Sequence, residues 1–169
     1  MGFELKQLSV ENGVEEYAML QEIDGEAYGF TNEVNGMSFD EYKAWLIRQD
    51  DWSRAQNLPE NYIPQTTYFL YADGRPVGIA RIRHFSSEYL EKQGVGNFGY
   101  GIAKPYRGKG YGHVLFEGVL EKCRELGYQK IRSFVHVENA ASNRVFEKHG
   151  ATGAGTFQGV RNIYETIIE

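Results

Sequence analysis

The chain has little cysteine and little proline, and it has no long apolar run. Its 169 residues include one cysteine, Cys123, and four prolines. A single cysteine excludes an internal disulfide and disfavours a cysteine-based metal site. No stretch approaches the roughly 18 apolar residues of a membrane-spanning helix, and no basic segment leads into an apolar run at the N-terminus. These absences predict a cytoplasmic protein with no metal and no membrane association.

Excess positive charge is also missing. The formal net charge is −5, which argues against nucleic acid as a partner because no general basic field exists to release counterions. The charge is unevenly spread. Residues 11–51 carry a net charge of −9, whereas residues 98–112 carry +3 and no acid. The second stretch therefore indicates a local site for an anion.

What the chain does have is enough apolar material for one core. Hydrophobic residues make up 41% and aromatic residues 14% of the sequence, which suits a single domain over residues 1–169. Periodicity predicts strands within 3–10, 66–85, 98–102, 128–137 and 155–168, and helices within 14–23, 38–50, 110–126 and 139–149. Ser38 and Glu41 form a capping-box pattern, Asp73-Gly74 a hairpin turn, and residues 25–36 a loop. The strand, helix, strand order after residue 98 implies a parallel crossover.

The stretch PYRGKGYG, residues 105–112, is the most informative part of the chain. Its three glycines and two cations, Arg107 and Lys109, lie between a predicted strand and a predicted helix. Free amides of a first helical turn, the helix dipole and glycines that admit a ligand all favour a phosphate group. The P-loop pattern fails because Ala103 replaces its first glycine, and the dinucleotide pattern fails because His113 replaces its last glycine.

Two motifs lie in the second half of the chain. The first is R-x-x-G-x-G, formed by Arg107, Gly110 and Gly112. The second is N-x-x-[AS]-x-x-x-[YF]-x-K-x-G, which residues 139–150 (NAASNRVFEKHG) match. Together they resemble the GNAT superfamily of acyl-CoA-dependent N-acetyltransferases. More narrowly, LPENYIPQTTYFL, RIRHFSSEYL and GYGIAKPYRGKGYG resemble a bacterial subgroup of predicted acetyltransferases. The resemblance implies an α/β fold whose mixed, mostly antiparallel sheet has six to seven strands, with a parallel, splayed strand pair at the CoA site.

The resemblance also implies the ligands and the residues that bind them. Acetyl-CoA would be the cosubstrate. The acceptor would be a primary amine of a small molecule or peptide. A homodimer is one of the oligomeric states that the resemblance leaves open. The cofactor-binding residues implied are Ile102 and Ala103 for pantetheine, Arg107, Gly108, Lys109, Gly110, Tyr111 and Gly112 for pyrophosphate, and Asn139, Ser142 and Phe146 on the following helix. Asn139 also suits the N-cap of that helix.

The catalytic groups depart from the family pattern. Phe146 stands where the family often has a tyrosine that protonates the departing thiolate, so the acid is left open among water, Ser142 and another tyrosine. Gly96 falls where some relatives carry a basic glutamate. His84, Glu88 and Tyr100 are the nearby candidates for a base, and the catalytic hypothesis rests on His84 and Tyr100.

Two other classes of function stay open at the sequence level. A non-catalytic acyl-CoA-binding or sensing module would fit the glycine-rich strand before the turn and the missing tyrosine at Phe146. A structural subunit that pairs through an exposed strand edge would need neither the turn nor the ligand. Release of free thiol in the presence of amines separates the first from an enzyme, and thermal stabilisation by acetyl-CoA separates the second.

Overall fold

The computed structural model describes residues 2–28 and 30–169, which contain nine strands and five α-helices. The strands are β1 (Phe3–Gln7), β2 (Glu26–Ala27), β3 (Phe30–Thr31), β4 (Gln65–Ala72), β5 (Arg75–Arg83), β6 (Phe98–Ile102), β7 (Lys130–His136), β8 (Thr152–Phe157) and β9 (Arg161–Ile167). The helices are α1 (Val14–Gln21), α2 (Phe39–Ser53), α3 (Glu88–Lys92), α4 (Tyr111–Glu125) and α5 (Ala140–Lys148). A single 3₁₀ turn, Lys104–Tyr106, joins β6 to the loop before α4.

The strands form two antiparallel sheets and one short hairpin. The order is β1-β4-β5-β6 in the first sheet and β7-β9-β8 in the second, and β2 pairs with β3. The hairpin between β4 and β5 turns at Asp73 and Gly74, whose φ angles of 49° and 82° suit a two-residue turn with left-handed backbone at both positions. The expectation of a mostly antiparallel α/β fold is confirmed. The β2–β3 hairpin and α3 were not predicted from the sequence.

The helices begin and end where local chemistry predicts. Glu41 donates its backbone N–H to Ser38 Oγ at 3.2 Å, and Ser38 donates its N–H to Glu41 Oε1 at 2.9 Å, so the capping box of α2 is confirmed. Gly110 precedes α4 with a φ of 84°, and Gly127 follows it with a φ of 91°. These angles suit glycine, which has no Cβ to clash.

Two apolar layers cover the first sheet. Helices α4 and α5 pack on one face around Phe116 and Phe146, and α1 and α2 pack on the other around Tyr42 and Phe69. Cys123 lies fully buried in the first layer, and burial raises the pKa of its thiol to about 12. The thiol is therefore protonated at neutral pH, and Cys123 is a packing residue of this layer.

Strands β6 and β7 meet at one end only. Asn97, just before β6, donates its backbone N–H to Arg132 O at 3.0 Å, and its side-chain Oδ1 accepts the N–H of Arg132 at 2.6 Å. Beyond this junction no ladder joins the two strands within residues 2–28 and 30–169. Both strands run away from the junction in the same direction, so a cleft opens between them. The expected parallel, splayed pair is confirmed.

Gly96 sets how closely the two sheets approach. A Cβ on Gly96 would lie 2.7 Å from Arg132 O and 3.1 Å from Ser133 Cα, both of which are backbone atoms that cannot rotate away. No side chain fits at this position. The basic glutamate that some relatives carry here therefore has no room in this chain.

Replacing Gly96 by alanine should destabilise the fold by about 1–3 kcal/mol, because the methyl group forces the junction apart. The midpoint of thermal unfolding should fall by about 3–10 °C. Gly153→Ala is the matched control, since a Cβ there would meet no atom within 4 Å. Equal midpoints for the two variants would contradict the close approach at Gly96.

Candidate functional site

The space between the splayed strands is a cleft of about 1200 Å³. Its floor is the free edge of β6, one side is β7 with the start of α5, and the glycine turn before α4 closes one end. The side chain of Phe30 covers part of β6, because Cβ atoms on Gly99 and Gly101 would lie 3.4 and 3.3 Å from its ring. The glycines of β6 thus make room for the short β2–β3 hairpin.

The glycine turn carries five unpaired backbone amides in the described residues, and four of the five residues line the cleft end. The N–H groups of residues 108–112 donate to no acceptor within the described part of the chain. Gly108 and Gly110 have φ angles of 76° and 84°, and Cβ atoms there would meet nothing within 4 Å. Arg107 fixes the turn to the strand, since its Nε donates to Ile102 O at 2.8 Å. Consecutive free amides at a helix N-terminus form an anion-binding nest.

The predicted turn residues do not all face the cleft. Arg107, Gly108, Gly110, Tyr111 and Gly112 line it. Lys109 does not, and its Nζ lies 6.0 Å from the centre of the Tyr106 ring. Lys109 therefore adds a positive charge beside the turn.

Alternation along β6 decides which backbone groups are free. Ala103 donates its N–H to Val77 O, and Arg83 donates its N–H to Asn97 O, both in the pairing with β5. Since antiparallel pairing uses every second residue, the odd positions of β6 face β5, and the backbone groups of residues 98, 100 and 102 face the cleft. Ala103 also accepts from Tyr106 N–H at 2.9 Å. Of the two residues predicted to pair with pantetheine, Ile102 has a free amide and Ala103 has none.

Tyr100 joins β6 to α5 across the cleft. Its hydroxyl lies 2.8 Å from Ser142 Oγ, and both residues line the cleft. Burial raises the pKa of Tyr100, and the hydrogen bond to Ser142 lowers it less. The hydroxyl stays protonated at neutral pH, so it suits a proton donor better than the base that the sequence suggested.

The remaining predicted residues on α5 have structural partners. Asn139 caps the helix, because its Oδ1 accepts the Ser142 N–H at 3.3 Å. Phe146 is 2% exposed and stacks on Tyr164, with ring centroids 5.1 Å apart. Asn139 and Phe146 both line the cleft, yet Phe146 has no proton to donate. Tyr100 and Phe146 are linked through Phe98, which stacks on both rings.

His84 does not line the cleft. Its Nε2 lies 2.7 Å from Thr66 Oγ1, and its backbone N–H bonds Pro64 O. Burial lowers the pKa of the imidazole. The residue before it, Arg83, does line the cleft, and neighbouring residues of an extended segment point to opposite faces.

Sequence reasoning missed two functional candidates on β5 and one on β7. Arg81 and Arg83 line the cleft beside the start of β6. Ser133 also lines it, and its buried hydroxyl has no partner within the described residues. Alternate arginines in the otherwise apolar segment GIARIRHF are the signal that could have indicated the pair. A metal is not indicated, since no three His, Cys, Asp or Glu side chains of residues 2–28 and 30–169 converge.

The family model described as "Acetyltransferase (GNAT) family" matches residues 18–151, which include the turn, both splayed strands and α5. The chain belongs to the GNAT acetyltransferase family. Membership makes it an acyl-CoA-dependent acetyltransferase, and the resemblance drawn from the two motifs is confirmed. None of the curated protein sequences gives a significant match to this chain.

Solved structures share the whole fold at low sequence identity. A GNAT acetyltransferase from Streptococcus pneumoniae is 17% identical with a TM-score of 0.64, covering 99% of this chain and 100% of its own. The N-acetyltransferase PseH of Campylobacter jejuni, in complex with acetyl coenzyme A, is 12% identical with a TM-score of 0.65 and the same coverage. The putative acetyltransferase yncA of Salmonella typhimurium, with acetyl-CoA, is 12% identical with a TM-score of 0.62, covering 100% and 95%. These likenesses show the fold.

His84→Gln tests the histidine that the sequence suggested as a base. Because the imidazole bonds Thr66 outside the cleft, we expect kcat to change by less than about threefold, below the range of general-base effects. Steady-state thiol release at saturating amine gives the value. A fall of more than about 100-fold, with acetyl-CoA affinity unchanged, would restore His84 as the base.

Proposed function

We propose that the protein transfers the acetyl group of acetyl-CoA to a primary amine of a small molecule or peptide, by direct attack within a ternary complex. The observation that carries this proposal is the nest of five unsatisfied amides at residues 108–112, at the end of a cleft lined by a free strand edge. A diphosphate fits the nest, and an extended chain with amide groups fits the edge.

The chain's own groups would hold the cosubstrate along β6. The amides of residues 108–112 would bind the pyrophosphate, with the cations of Arg107 and Lys109 beside it. The free N–H of Ile102 and the free C=O of Tyr100 would pair with the pantetheine amides, which leaves the Tyr100 N–H for the thioester carbonyl. The orphaned Ser133 hydroxyl lies on the opposite wall. Acetyl-CoA supplies an activated thioester at the far end of this path.

Positioning would supply much of the rate. The amine nitrogen attacks the thioester carbonyl, the C–S bond breaks, and the products are an amide and the thiol of CoA. The attacking nitrogen loses one proton to solvent, and the departing sulfur gains one. A free backbone N–H at Tyr100, aimed into the cleft, would stabilise the carbonyl oxygen as its charge develops.

Tyr100 is the group we propose as proton donor to the sulfur. Its hydroxyl is protonated at neutral pH and is held by Ser142, one helical turn before Phe146. Tyr100 on β6 would thus donate the proton that a tyrosine at the Phe146 position of α5 often donates in the family. Ser142 can then relay a proton back to the tyrosinate.

A non-catalytic acyl-CoA-binding module is the second candidate. Two observations favour it: Phe146 lacks a hydroxyl, and the junction leaves no room for a carboxylate at Gly96. Such a module would bind acetyl-CoA and release no thiol with any amine.

A cytoplasmic location, a bacterial source and a homodimer stay predictions. None of the helices within the described residues is long and apolar enough to cross a membrane.

Gly112→Ala should weaken acetyl-CoA binding by about tenfold, because a methyl group would stand in the cleft between the first turn of α4 and Val145, both of which line it. The fold tolerates the change, since the new Cβ would lie 3.6 Å from Val145 Cγ2, an ordinary contact. Calorimetric titration with acetyl-CoA measures the dissociation constant. Glu117→Ala, exposed on the same helix, is the control. Wild-type affinity in Gly112→Ala would refute the assignment of the nest.

Tyr100→Phe should lower kcat by about 10- to 100-fold and leave the acetyl-CoA dissociation constant within about threefold. Burial raises the pKa of Tyr100 above its usual 10. The proton donor is therefore present below that pKa and is lost only as pH rises through it. Wild-type kcat should show no loss from this group up to about pH 10. Tyr89→Phe, exposed and outside the cleft lining, is the control, and unchanged kcat in Tyr100→Phe would dismiss the role.

A further inference from the structure

Two arginines stand side by side at the end of the cleft away from the nest. Arg81 and Arg83 occupy alternate positions on β5, so their side chains leave the same face of the sheet. Both are partly buried, and both line the cleft. Arg81 lies opposite Gly99 in the strand pairing, and the backbone N–H of Arg83 donates to Asn97 O. Both arginines therefore lie beside the start of β6.

Neither guanidinium has a carboxylate partner. Arg81 donates to Thr31 O, and Arg83 Nη1 donates to Gly96 O at 2.9 Å. Within the described residues no Asp or Glu oxygen lies within 4.0 Å of either group. A guanidinium carries five N–H donors, so most of their donors have no acceptor in the part of the chain that the structure describes.

Carboxylates that could neutralise an arginine are used elsewhere in the chain. Arg48, Arg54 and Arg124 each form an ion pair with a glutamate or aspartate. Glu33 lines the same cleft as the arginine pair, but its Oε2 lies 3.3 Å from Arg48. The nearest acid of the cleft lining is thus already paired, and the two recessed cations are left without a matched anion.

This arrangement is costly in the free protein. Burial, and next the positive charge of Arg83, lower the pKa of Arg81 to about 10, and burial also lowers the pKa of Arg83. Like charges brought together in a recessed site are stabilised when an anion enters between them. Arginine is also the side chain best suited to a carboxylate, because its planar donors match the two oxygens.

The cosubstrate's phosphates cannot be this anion, since the nest lies beyond the other end of β6. Gly99 and Ile102 are three residues apart, which is about 10 Å along a strand, and the turn adds more. A pantetheine chain bound along this edge would bring its thioester close to Tyr100, beside the arginines. Phe30 forms a wall here, with the Arg81 guanidinium carbon 4.5 Å from its ring centre.

Resting on the proposed function, we infer that Arg81 and Arg83 bind a carboxylate of the acceptor, so that the preferred substrates are small amines that carry a carboxylate a few bonds from the amino group. The carboxylate would lie between the two guanidinium groups and direct the amine at the thioester. Amino acids have this chemistry, and their carboxamides lack it.

The test compares matched acceptors with acetyl-CoA: an amino acid against its carboxamide, across acidic, neutral and aromatic side chains. The amide has the less basic amine, so intrinsic reactivity at neutral pH favours the amide and works against the expected result. We expect kcat/KM to be about 10- to 100-fold higher for the carboxylates, the range of hydrogen bonds to charged groups. Equal values for both members of every pair would overturn the inference.

Arg81→Gln and Arg83→Gln should each bring the ratio of kcat/KM for the amino acid to kcat/KM for its carboxamide closer to one. The affinity of each variant for acetyl-CoA should stay within about threefold of the wild-type value. Arg→Lys at the same positions should restore part of the preference for the carboxylate, because the charge returns without the planar donors. Arg75→Gln, exposed on the same strand, is the control. A preference that survives in both glutamine variants would overturn the assignment, and the unfolding midpoint of each variant identifies any misfolded one.

The carboxylate bound by the arginine pair could instead belong to the acyl group of the donor. Succinyl-CoA, whose acyl group ends in a carboxylate, tests this alternative. Preference for succinyl-CoA with a neutral amine, lost in the glutamine variants, would move the anion to the donor and overturn the acceptor assignment. The proposed function fails in a different way: no acetyl-CoA binding, or no thiol release with any amine. If amines without a carboxylate are acetylated as fast as amines that carry one, the proposed acetyltransferase function stands and only the role of the arginine pair is refuted.

Discussion

The site depends on one buried asparagine that joins the two sheets and allows them to part. Asn97 is 3% exposed and uses its backbone and its side chain on the same residue of β7, Arg132, while its Nδ2 donates to Ser86 Oγ. A side-chain oxygen thus replaces the next rung of a strand ladder. Because pairing stops there, the edge of β6 stays free over residues 98–102, and a ligand can occupy the place of a strand. Gly96 makes the contact close enough for these bonds.

The cleft has a positive group at each end and an uncharged edge between them. At one end are the unsatisfied amides of residues 108–112 with Arg107; at the other are Arg81 and Arg83. Asp24, which also lines the cleft, is matched by Lys104 at 2.8 Å, and the hydrogen bond from Lys104 lowers its pKa. Under the proposed function, the phosphates of the cosubstrate would lie at the first end and its thioester near the second. The same field would orient the cosubstrate before it docks.

Local patterns were sufficient for most of the fold and for half of the site. The capping box at Ser38, the turn at Asp73 and the nest before α4 are each set by residues close in sequence, so propensity and glycine chemistry predict them. The engaged amide of Ala103 and the position of His84 depend on pairing register, which one sequence does not specify. The arginine pair and the junction at Gly96 depend on contacts between segments tens of residues apart. The β2–β3 hairpin is too short to leave a periodic pattern.

Phe146 serves packing in this chain. Its ring is packed against Phe116, 4.8 Å away between centroids, and against Tyr164. Tyr100 instead places its hydroxyl against Ser142, which is both a donor and an acceptor. The aromatic stack through Phe98 holds Tyr100 at the cleft while Phe146 fills the core. Under the proposed function, packing and proton donation are thus divided between two rings, whereas the tyrosine that the family often has at the Phe146 position would combine them in one.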